Sequence, residues 1–193
     1  MKIAIDAGHG GTAHGAEYNG MVEMSLNLET AQALEHHCRC CGMDASLIRH
    51  GDYNMSLKSR GWVAGNLEAD LVVSIHYNAN RDSSLWGAEA YHWPGNKLGK
   101  QVASSILQAF PLGLRTRKVF AADTNGIPGD ADDWLERPRA VIGAYACTAV
   151  LVECGYLTSP RDVLQIQLQS TQHAIARAIH IGLCDAQGAP DGV

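Results

Sequence analysis

The chain has 193 residues, 46% hydrophobic and 18% charged, with 15 basic against 20 acidic side chains and a formal net charge of -5. A chain of this length buries roughly 70% of the surface it exposes when unfolded, so one domain can build its core without metal or disulfide staples. The acidity is mild and the charges are scattered rather than gathered in a basic stripe, which excludes a nucleic-acid binder or a protein drawn to anionic lipid.

Residues 2–6 (KIAID) are a short apolar run followed by the glycine-rich segment 7–11 (AGHGG), the pattern of a buried strand that ends in a tight loop. The opening run is too short for a signal peptide or membrane span, so the chain is expected to be made in a cytoplasm and not to insert into membrane. Met24, Leu28, Ala31, Leu34, Cys38 and Cys41 then recur at helical steps, and Gly42 stands where that helix stops. Residues 45–49 form a second strand candidate. Leu57, Arg60, Ala64 and Leu67 mark a second helix, with Ser56 placed to cap it.

Residues 71–76 (LVVSIH) are nearly all apolar, as in a strand covered on both faces of a parallel sheet. Residues 88–93 read as a more exposed strand, residues 97–110 as a helix, and residues 119–121 as a short strand. Residues 126–139 are loop-like, rich in Gly, Asp and Pro, and residues 149–153 (AVLVE) are a second strongly buried strand. A closing helix carries Ile175, Ile179 and Leu183 on its apolar stripe. No repeat or linker divides the chain. The expected architecture is a single α/β domain over residues 1–184, a central, mainly parallel, twisted sheet flanked by helices on both faces, with a flexible tail at 185–193. The six cysteines are not spread like a disulfide framework, and reduced, mostly buried thiols are expected. Cys38 and Cys41 form a C-x-x-C, but no second pair stands at zinc-ribbon distance.

Three strongly buried strands end in groups that are costly to bury: His9 after the first, His76 closing the third, Glu153 closing the late one. In an open parallel sheet those ends share one edge, the crevice where such sheets bind ligands, so the three can converge. Glu23 stands at the start of the first helix, where the helix dipole favours a carboxylate. Two histidines and a glutamate make an open His₂Glu set of the kind catalytic zinc uses, with a position left for water. The H-E-x-x-H helix of ordinary zinc peptidases is absent. Taken singly, each residue also has a structural explanation, such as Glu153 salt-bridged to Arg49 or Arg161.

At these positions the sequence resembles the zinc-dependent N-acetylmuramoyl-L-alanine amidases of the type 3 family. DAGHGG (6–11), the segment around Glu23 (NGMVEMSLNLETAQAL), residues 47–79 and AVLVECGYLTSPRD (149–162) stand in the family's order. The chain departs from the family pattern at Thr148, Tyr156 and Ser159. The resemblance implies zinc ligands His9, Glu23 and His76, one zinc ion per chain, Glu153 as the catalytic acid/base, and hydrolysis of the amide between the muramic acid lactyl group and L-alanine in bacterial peptidoglycan. It also implies a compact, monomeric, phage-endolysin-like member that reaches the wall after release from the host cytoplasm, without the inhibitory helix that some members insert. A mother-cell lytic amidase is the other setting. Two other classes stay open: a wall glycosidase using Glu23 and Glu153, and a catalytically silent peptidoglycan-binding domain. His36 and His37, on a helix flank near Cys38, are read as solvated, and His173 and His180 as part of the last helix. His14 and His92 stand nearer the cleft, Asn78 and Asn80 are candidate substrate contacts, and Trp86, Trp93 and Trp134 are candidate sugar-stacking residues.

Overall fold

The computed structural model describes residues 1–111, 113–114, 116–122 and 138–188. In chain order the elements are β1 (Lys2–Ala7), β2 (Glu17–Tyr18), β3 (Met21–Val22), α1 (Glu23–Cys40), β4 (Asp44–Leu47), α2 (Leu57–Asn66), β5 (Leu71–Asn78) and β6 (Ala88–His92). They continue with α3 (Lys97–Gln108), β7 (Thr116–Ala121), α4 (Pro138–Ile142), β8 (Thr148–Tyr156), α5 (Pro160–Ile166) and α6 (Gln169–Gln187). Among the described residues no helix is long and apolar enough to cross a membrane.

The main sheet runs in the order β4-β1-β5-β8-β6-β7. Its first four strands are parallel, β6 is antiparallel to β8, and β7 is parallel to β6. Strand alternation feeds two cores. Ile3, Ile5, Val73 and Ile75 face Leu34 of α1, Ile106 of α3 and Ile179 of α6, whereas Ala4, Val72 and Leu151 face Ala64 of α2 and Val141 of α4. Helices therefore cover both faces, which is why all eight residues of β5 are buried. Each fully buried aliphatic side chain in these layers contributes about 1.5–3 kcal/mol relative to exposure.

Most sequence expectations are met within a residue or two, and α2 is capped as expected, with Ser56 Oγ accepting the Ser59 N–H at 3.1 Å. Three differ. β6 is buried along its whole length instead of presenting a wet side, because the carboxylate on it accepts the hydroxyls of Tyr91 on the same strand and Tyr156 of β8 rather than solvent. α6 runs on to Gln187, three residues into the segment expected to be tail, since Ala186 continues its buried stripe. The thiols are not mostly buried: Cys38 and Cys154 are, Cys147 is intermediate, and Cys40, Cys41 and Cys184 are exposed. The loop expected at 126–139 and the absence of an inhibitory insert fall largely on 123–137, outside the described residues, as does Trp134.

Candidate metal centre and its carboxylate neighbours

The sheet changes direction between β1 and β5: β4 lies on one side of β1, while β5 and β8 lie on the other. Crevices at the carboxyl ends of strands open at such points. His9 follows β1, His76 is the sixth residue of β5, and Glu23 is the first residue of α1, so all three arrive at this edge. Their ligand atoms lie within 4.8 Å of one another. Glu23 Oε1 is 3.1 Å from His9 Nε2 and 3.0 Å from His76 Nδ1, and the two rings meet edge-on with centroids 5.1 Å apart.

All three side chains are buried, and the backbone around them explains how they stay in place. His9 sits at φ 61, a left-handed conformation uncommon for a side-chain-bearing residue. Its loop is held by two buried arginines. Arg49 donates to the carbonyls of Ala7 (3.1 Å), Gly8 (3.0 Å), Met24 (3.1 Å) and Gly51 (2.8 Å). Arg60 donates to the carbonyls of Ala7 and His9 and to Asp6 Oδ1. Burial opposes ionisation of Asp6, but Arg60 and the hydroxyl of Tyr145 outweigh it and hold the carboxyl below its ordinary range. Because Arg49 directs its guanidinium to these carbonyls, it is not the salt-bridge partner considered for Glu153. Arg161 stacks over Trp86, 3.7 Å from the ring centroid.

Close packing also demands glycine at two points. A Cβ on Gly8 would lie 2.3 Å from His76 Cε1, and one on Gly15, at φ +71, would lie 2.4 Å from Glu23 Oε2. Glu23 accepts the backbone N–H groups of Ala16 (2.9 Å) and Tyr77 (3.2 Å) as well. Burial opposes its charge, yet the hydrogen bonds and charges of His76 and His9 prevail and keep its carboxyl far below the usual carboxylate range.

Four-coordinate zinc with bonds of about 2.0–2.1 Å sets neighbouring donor atoms about 3.3 Å apart. The separations of 3.0 and 3.1 Å around Glu23 Oε1 fit that requirement, and the chemistry of two imidazoles and a carboxylate suits the same ion.

Glu153 pairs in register with His76 on one side and with Glu89 on the other, so β8 carries its carboxylate between the histidine strand and β6. Glu89 is the residue that sequence reasoning missed. It is buried and accepts the hydroxyls of Tyr91 (2.7 Å) and Tyr156 (3.1 Å), and the side-chain amide of Asn78 approaches it at 3.5 Å. The available signal was the β5–β6 connection, residues 79–87: a parallel crossover needs a dozen or more residues, so β6 had to run antiparallel and begin at the cleft.

The remaining candidates divide accordingly. His92 closes β6 and pairs with Val150 at the far end of β8, where its Nδ1 lies 2.9 Å from the Trp93 carbonyl oxygen. His14 is exposed beside Glu17, its Nδ1 2.5 Å from Oε1. Asn80 is tied to the loop after β8, its N–H donating to Thr158 Oγ1 at 3.0 Å. Trp93 is exposed, Trp86 lies beneath Arg161, and His37 is packed against other histidines rather than solvated.

The sequence pattern of one family, N-acetylmuramoyl-L-alanine amidase (Amidase_3), matches residues 3–185. The N-acetylmuramoyl-L-alanine amidase CwlM of Bacillus licheniformis is 39% identical over 191 residues, covering 96% of this chain and 68% of CwlM. LytC, the N-acetylmuramoyl-L-alanine amidase of Bacillus subtilis strain 168, is 31% identical over 186 residues, 93% of this chain, and the chain spans only about a third (34%) of it. Among solved structures, AmiC2 of Nostoc punctiforme superposes with a TM-score of 0.81 at 26% identity, covering 98% of both chains.

Proposed function

The chain belongs to the N-acetylmuramoyl-L-alanine amidase family, and from that premise we propose that it hydrolyses the amide between the lactyl group of N-acetylmuramic acid and L-alanine in peptidoglycan, with one zinc ion held by His9, Glu23 and His76. The observation that carries the zinc assignment is the convergence of two buried imidazoles, His9 and His76, on one oxygen of the buried Glu23 carboxylate, the three arriving from separate parts of the chain. Zinc, when bound, supplies Lewis acidity toward a carbonyl and makes water acidic enough to attack near neutral pH.

The chain's own residues perform the rest. Glu153, beside His76 in register, takes the proton of the attacking water and returns it to the departing alanine nitrogen. Glu89 stands in register beside Glu153 on β6, with its own oxygens held by the hydroxyls of Tyr91 and Tyr156, and lines the same strand edge. Arg49 and Arg60 keep the His9 loop from drifting, and Gly8 lets the His76 ring lie against that loop.

The test is product chemistry on purified peptidoglycan. Amidase action releases new amino-terminal alanine without new reducing ends, is abolished by a chelator, and returns with zinc. Cleavage that survives the chelator would overturn the zinc assignment, and new reducing ends would turn the reading toward a glycosidase. The setting as a phage lysin rests on the family resemblance alone. It requires that expressing cells lyse only once the inner membrane is opened.

A further inference from the structure

His76, Glu153 and Glu89 stand in one row across β5, β8 and β6, each in register with the next. Residues directly opposite one another project to the same face of a sheet, and in an antiparallel pair such as Glu89 and Glu153 their Cβ atoms lie about 4.5–5.5 Å apart. That face is the α2/α4 side, since Val72, Leu151 and Tyr91, each an even number of residues along its own strand from the row, pack there. Glu89 therefore stands beside the acid/base carboxylate, and the chemistry assigned to zinc and Glu153 gives it no step.

Beyond the row the strands fall out of step. Asn78, two residues after His76, pairs with Tyr156, three residues after Glu153, so β8 carries an extra residue as a bulge. Gly155 accommodates it at φ +132, a conformation open to glycine. Without the extra residue Tyr156 would face the α1/α6 side, as Cys154 does; the bulge turns it to the Glu153 side, where its hydroxyl donates to Glu89 Oε1 at 3.1 Å. Glu89 Oε2 accepts the Tyr91 hydroxyl at 2.7 Å, and the Asn78 amide approaches the same oxygen at 3.5 Å. The Tyr91 ring is itself fixed, stacked on Phe120 of β7 with centroids 5.2 Å apart and planes at 18°. Burial, Glu89 and Glu153 all push the Tyr91 hydroxyl above its ordinary range, so it stays a donor.

A carboxylate only 2% exposed is costly to bury, and an apolar side chain would pack the same position without that cost. What the carboxylate adds is direction, because it joins side chains of all three strands just past His76 and Glu153. We propose that Glu89 is a positioning residue for the hydrolysis, locking the cleft ends of β5, β8 and β6 through Asn78, Tyr156 and Tyr91 so that the Glu153 carboxylate keeps one orientation beside His76. This role rests on the reading of Glu153 as the acid/base.

Steady-state kinetics of the zinc-loaded chain on solubilised peptidoglycan test this, with kcat, KM and bound zinc measured together. Glu89→Gln keeps the size of the side chain and removes its charge; we expect kcat to fall roughly 10- to 100-fold with KM and zinc content unchanged. Tyr156→Phe, which removes one hydroxyl, should give a smaller loss of the same kind, and it carries the same comparison if Glu89→Gln does not fold. The deciding arm is the Glu153→Ala background, where Glu89→Gln should cost nothing further, because a residue that acts through Glu153 then has nothing to position. A merely structural role lowers the urea midpoint and leaves the two substitutions additive. The proposal is overturned if Glu89→Gln leaves kcat unchanged, if its loss persists in the Glu153→Ala background, or if zinc departs along with kcat. New reducing ends without new amino-terminal alanine would overturn the amidase reading instead, and the same comparison scored on those ends would still decide the role of Glu89.

Discussion

The strand edge and the paired ends of α1 and α6 both bring imidazoles together, by opposite means. At the strand edge the donors come from three elements far apart in sequence, and each is buried and braced by backbone: Arg49 and Arg60 on the His9 loop, the N–H groups of Ala16 and Tyr77 on Glu23. On the helices, helical pitch alone sets the pairs of His36 with Cys40 and of His180 with Cys184, and the thiols point to solvent. A braced set of side chains is already in working geometry and bears a buried polar network to keep it; a pitch-set pair is cheap to form and has no such network around it. The first arrangement suits catalysis, where small misplacements are costly in rate.

Substitutions can break this contrast. The largest effect belongs to His76→Ala, which should lose both zinc and detectable peptidoglycan hydrolysis, whereas Glu153→Ala should keep zinc and lose about 10²–10⁴-fold in kcat. Metal content measured alongside released alanine separates the two, and equal metal loss in both would erase the distinction between ligand and acid/base. Arg60→Ala removes a brace and leaves the Asp6 carboxylate buried without its cation. It should lower unfolding free energy by about 3–5 kcal/mol, read from urea melts.

Gly8→Ala replaces no ligand residue, yet its new methyl would lie 2.3–2.7 Å from Cε1, Nε2 and Nδ1 of His76 and displaces that ring. Zinc affinity should fall about 10–100-fold in competition with a chromophoric chelator while the fold persists. The finest distinction involves the helix region and leaves activity unchanged. Burial pushes the Cys38 thiol up to about 12, so at pH 8 only roughly one molecule in ten thousand carries its thiolate. Native alkylation at that pH should label Cys40 and Cys41 and spare Cys38; rapid labelling of Cys38 would show that the α1–α6 seam opens.

Much of the strand edge was legible in the sequence. Apolar runs ending in His9, His76 and Glu153 located three carboxyl ends, and a parallel sheet places such ends along one edge. Beyond reach were the braces, because Arg49 and Arg60 act through carbonyl oxygens that every residue possesses. Glu89 escaped because the alternation in β6 resembles a strand with one wet face; the polar side is satisfied internally by Tyr91 and Tyr156. α5 was overlooked although Ser159 and Pro160 mark a helix start, Pro at the first position having no amide hydrogen to lose. The helix histidines misled for another reason. Their i,i+4 spacing with cysteine was visible on each helix, but nothing in either segment states that the two helices are neighbours.

The reversal of β6 has an evolutionary corollary. Because β5 ends and β6 begins on the same side of the sheet, residues 79–87 never cross to the back of the molecule and instead form part of the cleft's rim. Insertions or deletions there would reshape the entrance while leaving every donor in place. Selectivity among walls of different species can therefore diversify through the length of that one loop, independently of the machinery beneath it.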